Sequence, residues 1–486
     1  MTLPNVNLTQ IDGALGIIPP GSGDIGAVYG PADSGDLNTP VALARAADVV
    51  SAFTAGPLVD LACYLIAKTG KAVVCVRSDV TTDGTPGVID ITGVTGTSVA
   101  SFDVAAVAND EYEVHVEIIT GGTIGVDGIT YKWSLDDGRT QSAETALGTA
   151  DTLTIPGSGG VIIDFAPGTL VAGNIIRSRT TPPLEDADDC TAAQTALQAS
   201  HHKWAVAFPA NVVTAAKFAQ LDTWMQTLWT KKKHKKFLAC ARGPAVGESN
   251  AAWQAAIAAE FASSSSLFGG LASGYAKTLS AVSSYQLRRP ASWPVAAWAL
   301  KLRNPRRDDM AAPVLGPLPS DVRIVDSNNN PDEHNEEVTP GLDAVRFLTL
   351  RTFEGLAGTF VSRPRIFAPT GSDFVWWQYR SVINGIADVV QLELTKRLRS
   401  PIRVNRRTGY ILEQDAVEIE NGVNAAVEAL VGPGPDVSGH AFTVSRTDQL
   451  LSTQTLTCAE RVVPLAYPDQ LNVTIGFVNP ARVQPV

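Results

Sequence analysis

Two rhythms of apolar and polar positions alternate along residues 25–80 and again after residue 186. In VALARAADVVSAF (41–53) and GPLVDLACYLIAKTG (56–70) apolar residues recur at i, i+3 and i+4, which predicts helices. GAVYGP (26–31) and KAVVCVRS (71–78) are short apolar runs of strand type. Past residue 186 the order is DADDCTAAQTALQASHH as helix, WAVAFPA as strand and VVTAAKFAQLDTWMQTLWT as helix. KKFLACARG as strand and ESNAAWQAAIAAEFASS as helix follow. Strands alternating with helices of this length indicate a largely parallel sheet layered with helices. Residues 25–80 and 183–325 are therefore assigned to one α/β layered domain.

Between them the period changes to two. In EYEVHVEIITGG, Tyr112, Val114, Val116 and Ile118 alternate with Glu113, His115 and Glu117, and ITYKWSLDDG repeats the pattern before an Asp-Gly turn. DTLTIPGSGGVIIDF and LVAGNIIRS continue it, and TTPP closes it. Residues 81–182 are read as an all-β domain inserted into the α/β domain. His115 falls on the polar side of its strand, where a solvated side chain is expected rather than a metal ligand.

After residue 300 a polar stretch, DSNNNPDEHNEE (326–337), reads as an exposed loop without the spacing of a calcium-binding hand. A C-terminal α+β domain is assigned to 338–465. It holds strand-like VRFLTLRTF and a long helix capped at Ser372 or Asp373 that stops before Pro401. The stripe of that helix runs Tyr379, Ile383, Ile386, Val390, Leu394. A second helix carries Ile419, Val423, Val427 and Leu430, with Gly432 as its C′ residue. AFTVSR and LTCAERVVPL are strands, and LNVTIGFV is a terminal strand with Leu471, Val473, Ile475 and Phe477 on one face. Residues 1–24, apolar pieces broken by Pro and Gly and carrying Leu3, Val6, Leu8 and Ile11, read as an extended arm. Residues 466–486 form a second arm.

The length of 486 residues suggests about three domains, and 45% hydrophobic with 18% charged residues is the composition of a soluble globular chain. A net charge of −11 argues against wholesale nucleic-acid binding. The five cysteines are scattered without a C-x-x-C, which suits buried thiols in a reducing compartment. Neither a leader pattern at the start nor an apolar run long enough for a membrane span is seen.

Gly21, Gly23 and Gly26 spell G-x-G-x-x-G, but Pro19-Pro20 stands where a strand should deliver the motif, and Gly30-Pro31 interrupts any following helix. AKTGKAV misses a phosphate loop because Lys71 is followed by Ala72 and Leu65 occupies the first glycine position. No nucleophile elbow, zinc motif or convergent acid–base set appears, so no catalytic, cofactor or metal site is assigned. An α/β enzyme with a ligand site at its strand ends would draw on Arg77, Asp79, Asn211 and Arg242. Two basic clusters remain. Lys231-Lys232-Lys233-His234-Lys235-Lys236 reads as a solvated turn that complements a helix dipole. Lys396, Arg397, Arg399, Arg403, Arg406 and Arg407 concentrate guanidinium groups, which suits carboxylate recognition on a protein surface.

The C-terminal order, with DFVWWQYRSVINGIADVVQLEL, the basic turn PIRVNRRTGYIL, the helix DAVEIENGVNAAVEALV and the strand LNVTIGFVNP, resembles tail sheath proteins of contractile phage tails and related injection machines. YQLRRPASWPVAAWAL and the β insertion fit the same pattern, so the resemblance spans nearly the whole chain. It implies a structural subunit, without catalysis or cofactor. Such subunits polymerise as stacked six-membered rings around a tail tube and contract to drive the tube through a cell envelope. The arms would add strands to neighbouring copies. The 396–407 cluster would face the tube, and the inserted domain would decorate the outside. Implied partners are other copies, the tail tube protein, and baseplate and tail terminator proteins, with no direct nucleic-acid contact and no membrane insertion. The implied location is the virion tail sheath, made and assembled in the host bacterial cytoplasm. Another virion shell or adhesion protein, with the β insertion as its working part, is the alternative.

Overall fold

The computed structural model describes residues 25–91, 94–326, 341–432 and 435–476. The chain divides into two compact units, Met1–Asp388 and Val389–Val486.

In the first unit, β1 (Gly26–Gly30), β2 (Val41–Leu43), α1 (Ala46–Phe53), α2 (Pro57–Thr69) and β3 (Val73–Arg77) come first. Nine short strands follow: β4 (Ala100–Phe102), β5 (Glu113–Thr120), β6 (Gly122–Thr123), β7 (Thr130–Ser134), β8 (Thr145–Ala146), β9 (Thr152–Thr154), β10 (Ile162–Phe165), β11 (Thr169–Leu170) and β12 (Ile175–Arg179). The alternation then resumes with α3 (Ala187–Ala199), β13 (Val206–Pro209), α4 (Ala215–Thr230), β14 (Lys236–Ala241), α5 (Asn250–Glu260) and β15 (Gly269–Ser273).

The central sheet has the order β15-β14-β13-β1-β3-β2. All of its pairs are parallel except β2, which runs antiparallel to β3. Alternation along the strands divides the core by face. Val28, Cys75, Phe208 and Cys240 join the cluster that includes α2 residues. Ala27, Val74, Ala207 and Phe237 join the cluster of α3, α4 and α5. With both faces covered, nearly every strand residue is apolar. The predicted helix over 41–53 is shorter than expected, because Val41–Leu43 form the edge strand β2 before α1 begins at Ala46.

Gly26 lies inside β1, opposite Val206 and Val73. A Cβ there would come 2.8 Å from the Phe208 ring, so close packing is what requires this glycine. The G-x-G-x-x-G run thus enters a strand instead of leaving one.

Strands β4–β12 form sheets of order β4-β10-β9, β11-β6 and β12-β5-β7-β8. Val114, Val116, Ile118, Ile129, Leu153, Ile163 and Ile176 fill their shared core. The unit continues with β16 (Tyr275–Leu279), β17 (Gln286–Pro290), α6 (Ser292–Lys301), β18 (Arg323–Val325), α7 (Gly341–Ala344), β19 (Leu350–Phe353) and β20 (Leu356–Val361). Helix α6 is buried all round, with Trp293 and Trp298 among its residues.

Helix α8 (Trp377–Lys396) begins later than its expected caps, since Trp376 is still bridged to Arg365 in extended backbone. Its buried positions include Trp377, Arg380, Ser381, Asn384 and Ile386 rather than the whole predicted stripe. Aromatic neighbours explain the shift: the Arg380 guanidinium lies 4.4 Å from the Trp229 ring centre and 4.2 Å from that of Phe268. Tyr379, Ile383, Val390 and Leu394 are only half-buried.

The second unit holds α9 (Glu413–Val431), β21 (Val437–Val444), α10 (Leu450–Thr453) and β22 (Cys458–Pro464). Ile419, Val423 and Val427 are buried as expected, but Val431 takes the place given to Leu430. Gly432 has φ −76°, so the helix does not end on a left-handed glycine at this residue.

Candidate assembly surfaces

In the second unit β21 and β22 pair only with each other among the described residues. Their two outer edges differ. The backbone N–H groups of Phe442 and Val444 point away from β22 and donate to side chains of α9. Phe442 N–H reaches Asn424 Oδ1 at 2.9 Å, and Val444 N–H reaches Glu420 Oε1 at 2.8 Å. Helix α9 thereby closes the outer edge of β21. Arg446 fixes this arrangement through Glu420 at 2.5 Å and Glu413 at 2.9 Å, and it holds both carboxyls below their usual pKa range.

Phe442 faces Glu460, His440 faces Val462 and Val444 faces Cys458. In antiparallel pairing, residues opposite outward-facing groups also face outward. The N–H groups of Glu460 and Val462 therefore lie along the outer edge of β22, which no strand covers among the described residues. His440 ties the hairpin to α9, with Nε2 3.1 Å from Glu428 and Nδ1 3.3 Å from Glu460. Burial pushes the Glu460 carboxyl up, against the pull of His440.

Leu471, Val473 and Ile475 follow this sheet, at 81%, 79% and 92% exposure. Residues 471–476 form no strand in the structure, although their alternation predicts one. The alternating pattern has no second strand to pair with among the described residues. Phe477 and the arm positions Leu3, Val6, Leu8 and Ile11 lie outside the described residues.

The basic turn is partly neutralised by its own unit. Arg403 chelates Asp415, with Nε 3.0 Å from Oδ1, and its backbone N–H donates to the same carboxylate at 2.6 Å. Arg403 thereby pulls Asp415 below the usual carboxylate range. Lys396 pairs with Glu393 at 2.6 Å, and Arg397 is 3.9 Å from Glu418. Arg399, Arg406 and Arg407 are exposed and have no carboxylate partner among the described residues.

The polar residues at the strand ends do not converge. Arg77 donates to the carbonyls of Ala32 and Gly35. Asn211 donates to Pro183 and Glu185, while Arg242 pairs with Glu248 at 2.7 Å. Asp79 accepts only from the next backbone N–H among the described residues. No group of His, Cys, Asp and Glu among the described residues could hold a metal, and no described helix is long and apolar enough to cross a membrane.

Two findings correct the expected solvated polar positions. His115 is 5% and Glu113 6% exposed, because the polar side of β5 packs on other charged elements of the first unit. Lys277 Nζ stands 2.8 Å from Glu113, and Arg288 Nη1 is 3.5 Å from Glu111. Arg289, 2% exposed, bridges Asp60 of α2 and Asp110, both at 2.7 Å. The consecutive charges of QLRRP and NDEYE thus meet in the interior, a signal visible in the sequence as charges set inside apolar strand patterns. The 231–236 run is likewise only partly solvated. Lys231 and Lys232 are exposed, but His234 and Lys236 are buried against α8 residues Asp388 and Trp377.

The model of the family described as DUF2586, N-terminal domain, matches residues 3–267, more than half of the 486-residue chain. The chain belongs to the DUF2586 family. No curated protein matches this DUF2586 chain in sequence. Among solved structures it is similar to the sheath of an extracellular contractile injection system, the PVC sheath complex in its contracted state. That match has a TM-score of 0.53 and 9% identity, and it covers 99% of each chain. A chain of the anti-feeding prophage baseplate in its contracted state matches at TM-score 0.47 and 13% identity over 98% of each chain. A sheath tail protein from Listeria innocua matches at 0.40 and 11%, over 91% of this chain and 95% of that one. The DUF2586 chain thus has a mixed α+β fold of the contractile-sheath type, in agreement with the resemblance read from its sequence.

Proposed function

We propose that this DUF2586 chain is the structural subunit of a contractile sheath. It polymerises as stacked hexameric rings around a tail tube and contracts to drive the tube through a target envelope. The observation that carries the reading is the end-to-end likeness to the PVC sheath, in which 99% of both chains align. Further support comes from the second unit: one edge of its hairpin is uncovered among the described residues, and an exposed apolar segment follows it in the chain.

In this reading residues 1–24 and 466–486 are arms that add strands to neighbouring copies, and β22 is an acceptor edge. A strand added there gains a ladder of backbone hydrogen bonds that needs no side-chain rearrangement. Residues 81–182 act as an inserted outer domain, and 338–465 act as the tube-proximal domain. Arg399, Arg406 and Arg407 supply the charge offered to the tube. Exposed ion pairs are worth ~0.2–1 kcal/mol each, so such a grip breaks stepwise during contraction. Baseplate and terminator proteins cap the polymer, whose place is the tail sheath.

Negative-stain electron microscopy of the full chain and of a variant lacking residues 467–486, each co-expressed with its tube protein, tests the reading. Tubes or stacked rings that disappear on truncation are expected. Small monodisperse particles from both samples would overturn it.

A further inference from the structure

A hollow of about 390 Å³ in the first unit lies where α2, the segment before β5, strand β7 and strands β16 and β17 come together. Asp60, Asp110, Ser280 and Arg289 supply its polar groups, and Tyr112, Trp133 and Tyr285 supply aromatic surface. Val59, Leu135 and Leu287 add aliphatic lining. A volume within ~300–1,000 Å³, apolar walls and a few convergent polar groups are the marks of a small-ligand site.

The polar groups are one-sided. Every nitrogen of Arg289 already donates to a protein oxygen. Nε reaches Asp60 at 2.8 Å, Nη1 reaches Asp110 at 3.0 Å and the Glu111 carbonyl at 3.1 Å, and Nη2 reaches Asp110 at 2.7 Å. The Ser280 hydroxyl donates to Asp60. An ionised carboxylate has about four lone-pair sites, so both acids keep accepting capacity that these donors leave unused. Arg289 is the one cation among the described lining residues, and it serves two acids. With both acids ionised, the wall holds one more negative charge than positive. Asp136 adds to this from behind Tyr285, whose phenol it raises together with burial.

We infer that this hollow binds a primary alkylammonium group, with its N–H donors on Asp60 and Asp110 and its stem against Tyr112, Trp133 and Tyr285. Aromatic faces attract a cation held within ~6 Å, and the aliphatic lining takes the methylene stem. An anion would meet two acids at close range. A metal ion fits less well, because no group of His, Cys, Asp and Glu among the described residues could hold one. The ammonium group belongs either to a free amine or to a lysine side chain, which present the same head and stem. A proton on Asp110 competes with the cation, since burial raises this carboxyl to about 7. The charges facing Asp110 are Asp60 from α2, Arg289 from β17, and Glu111 beside it in the chain, with the Tyr112 phenol next.

Isothermal titration calorimetry of phenylbutylammonium into the full chain tests this. Saturable one-site binding is expected, weakening about tenfold in Asp110→Asn and in Trp133→Leu, a loss of ~1.4 kcal/mol. Asp36→Asn, an exposed acid outside the hollow, should bind as the parent does. Parent affinity should be higher at pH 8 than at pH 6, and Asp110→Asn should remove that difference. Phenylbutanol keeps the stem without the charge, and tetramethylammonium keeps the charge without N–H donors; each should bind about tenfold more weakly. Binding of Nα-acetyl-lysine methylamide tighter than that of phenylbutylammonium would assign the site to a lysine side chain, and the reverse order to a free amine. No saturable binding, equal binding by phenylbutanol, or parent-like binding by both hollow variants would each overturn the inference. Circular dichroism confirms that the variants are folded. The titration needs no polymer, so its result is independent of whether the chain forms sheaths.

Discussion

Arg289 has one charge to share between two carboxylates. Its guanidinium touches both Asp60 and Asp110, and Asp60 also accepts from the Ser280 hydroxyl at 2.6 Å. Burial pushes the pKa of Asp110 up to about 7, against the pull of Arg289 and with the push of the neighbouring Asp60. The sign follows from linkage. A folded-state pKa raised above the unfolded value means that the contribution is complete below about pH 4 and is lost as pH climbs through about 7. Urea denaturation of the parent chain should show stability falling between about pH 4 and pH 7, with a slope from this group of at most ~1.4 kcal/mol per pH unit. Asp110→Asn should flatten that part of the profile; an unchanged slope would refute the assignment. Arg289→Met leaves two buried acids without their cation, and we expect a loss of ~3–5 kcal/mol by the same assay. At this scale the sequence was least legible. Glu113 and His115 sit on the polar side of a strand whose period marks them as outward, and long-range neighbours such as Lys277 make that side an interior.

Elements were more legible, because each carries its own period. The alternating run at 112–118 and the apolar run at 26–30 became strands, and the stripes at 57–69 and 413–431 became helices. The failures share a cause: a long-range partner replaced the local signal. Trp376, bridged to Arg365, delays α8, and Arg380, held by Trp229 and Phe268, turns polar residues of α8 inward. Packing makes a firm prediction at α4. Phe218 is fully buried, and its ring contacts those of Phe237, Phe261 and Phe367 at 5.4, 6.1 and 5.4 Å. Phe218→Ala should therefore cost ~3–5 kcal/mol in a denaturant titration. The hairpin gives a sharper prediction. Proline at Val462 removes an outward N–H without taking one from the β21 ladder. Val462→Pro should leave the circular dichroism spectrum intact and abolish tube formation under the electron microscope. Retained tubes would exclude β22 as an acceptor.

For the whole molecule, the candidate tube surface reduces to three arginines, since Lys396, Arg397 and Arg403 face acids of their own unit. Arg399→Glu/Arg406→Glu/Arg407→Glu should lower co-sedimentation with the tube protein while leaving the stability of the chain within ~0.5 kcal/mol. Added salt should weaken the parent interaction, because the Debye length falls from ~10 Å at 0.1 M to ~3 Å at 1 M. Insensitivity to both changes would move the tube contact elsewhere. Composition and spacing could point to this basic cluster, but they could not show which of its members the acids of α9 already hold.

The closing of β21 by Asn424 and Glu420 also bears on symmetry. With that edge occupied, the strand addition proposed for an arm would join two unlike stretches of the chain. The stretch that is given away and the stretch that receives it are different surfaces. A contact of this kind is heterologous: it does not complete itself in a twofold pair, because each copy that receives still has its own strand to offer. Repetition of one operator then yields a closed ring or an open helix, and the rotation between neighbours decides which. In the proposed sheath, a side-chain amide and a carboxylate on one helix would thus help give the assembly its direction.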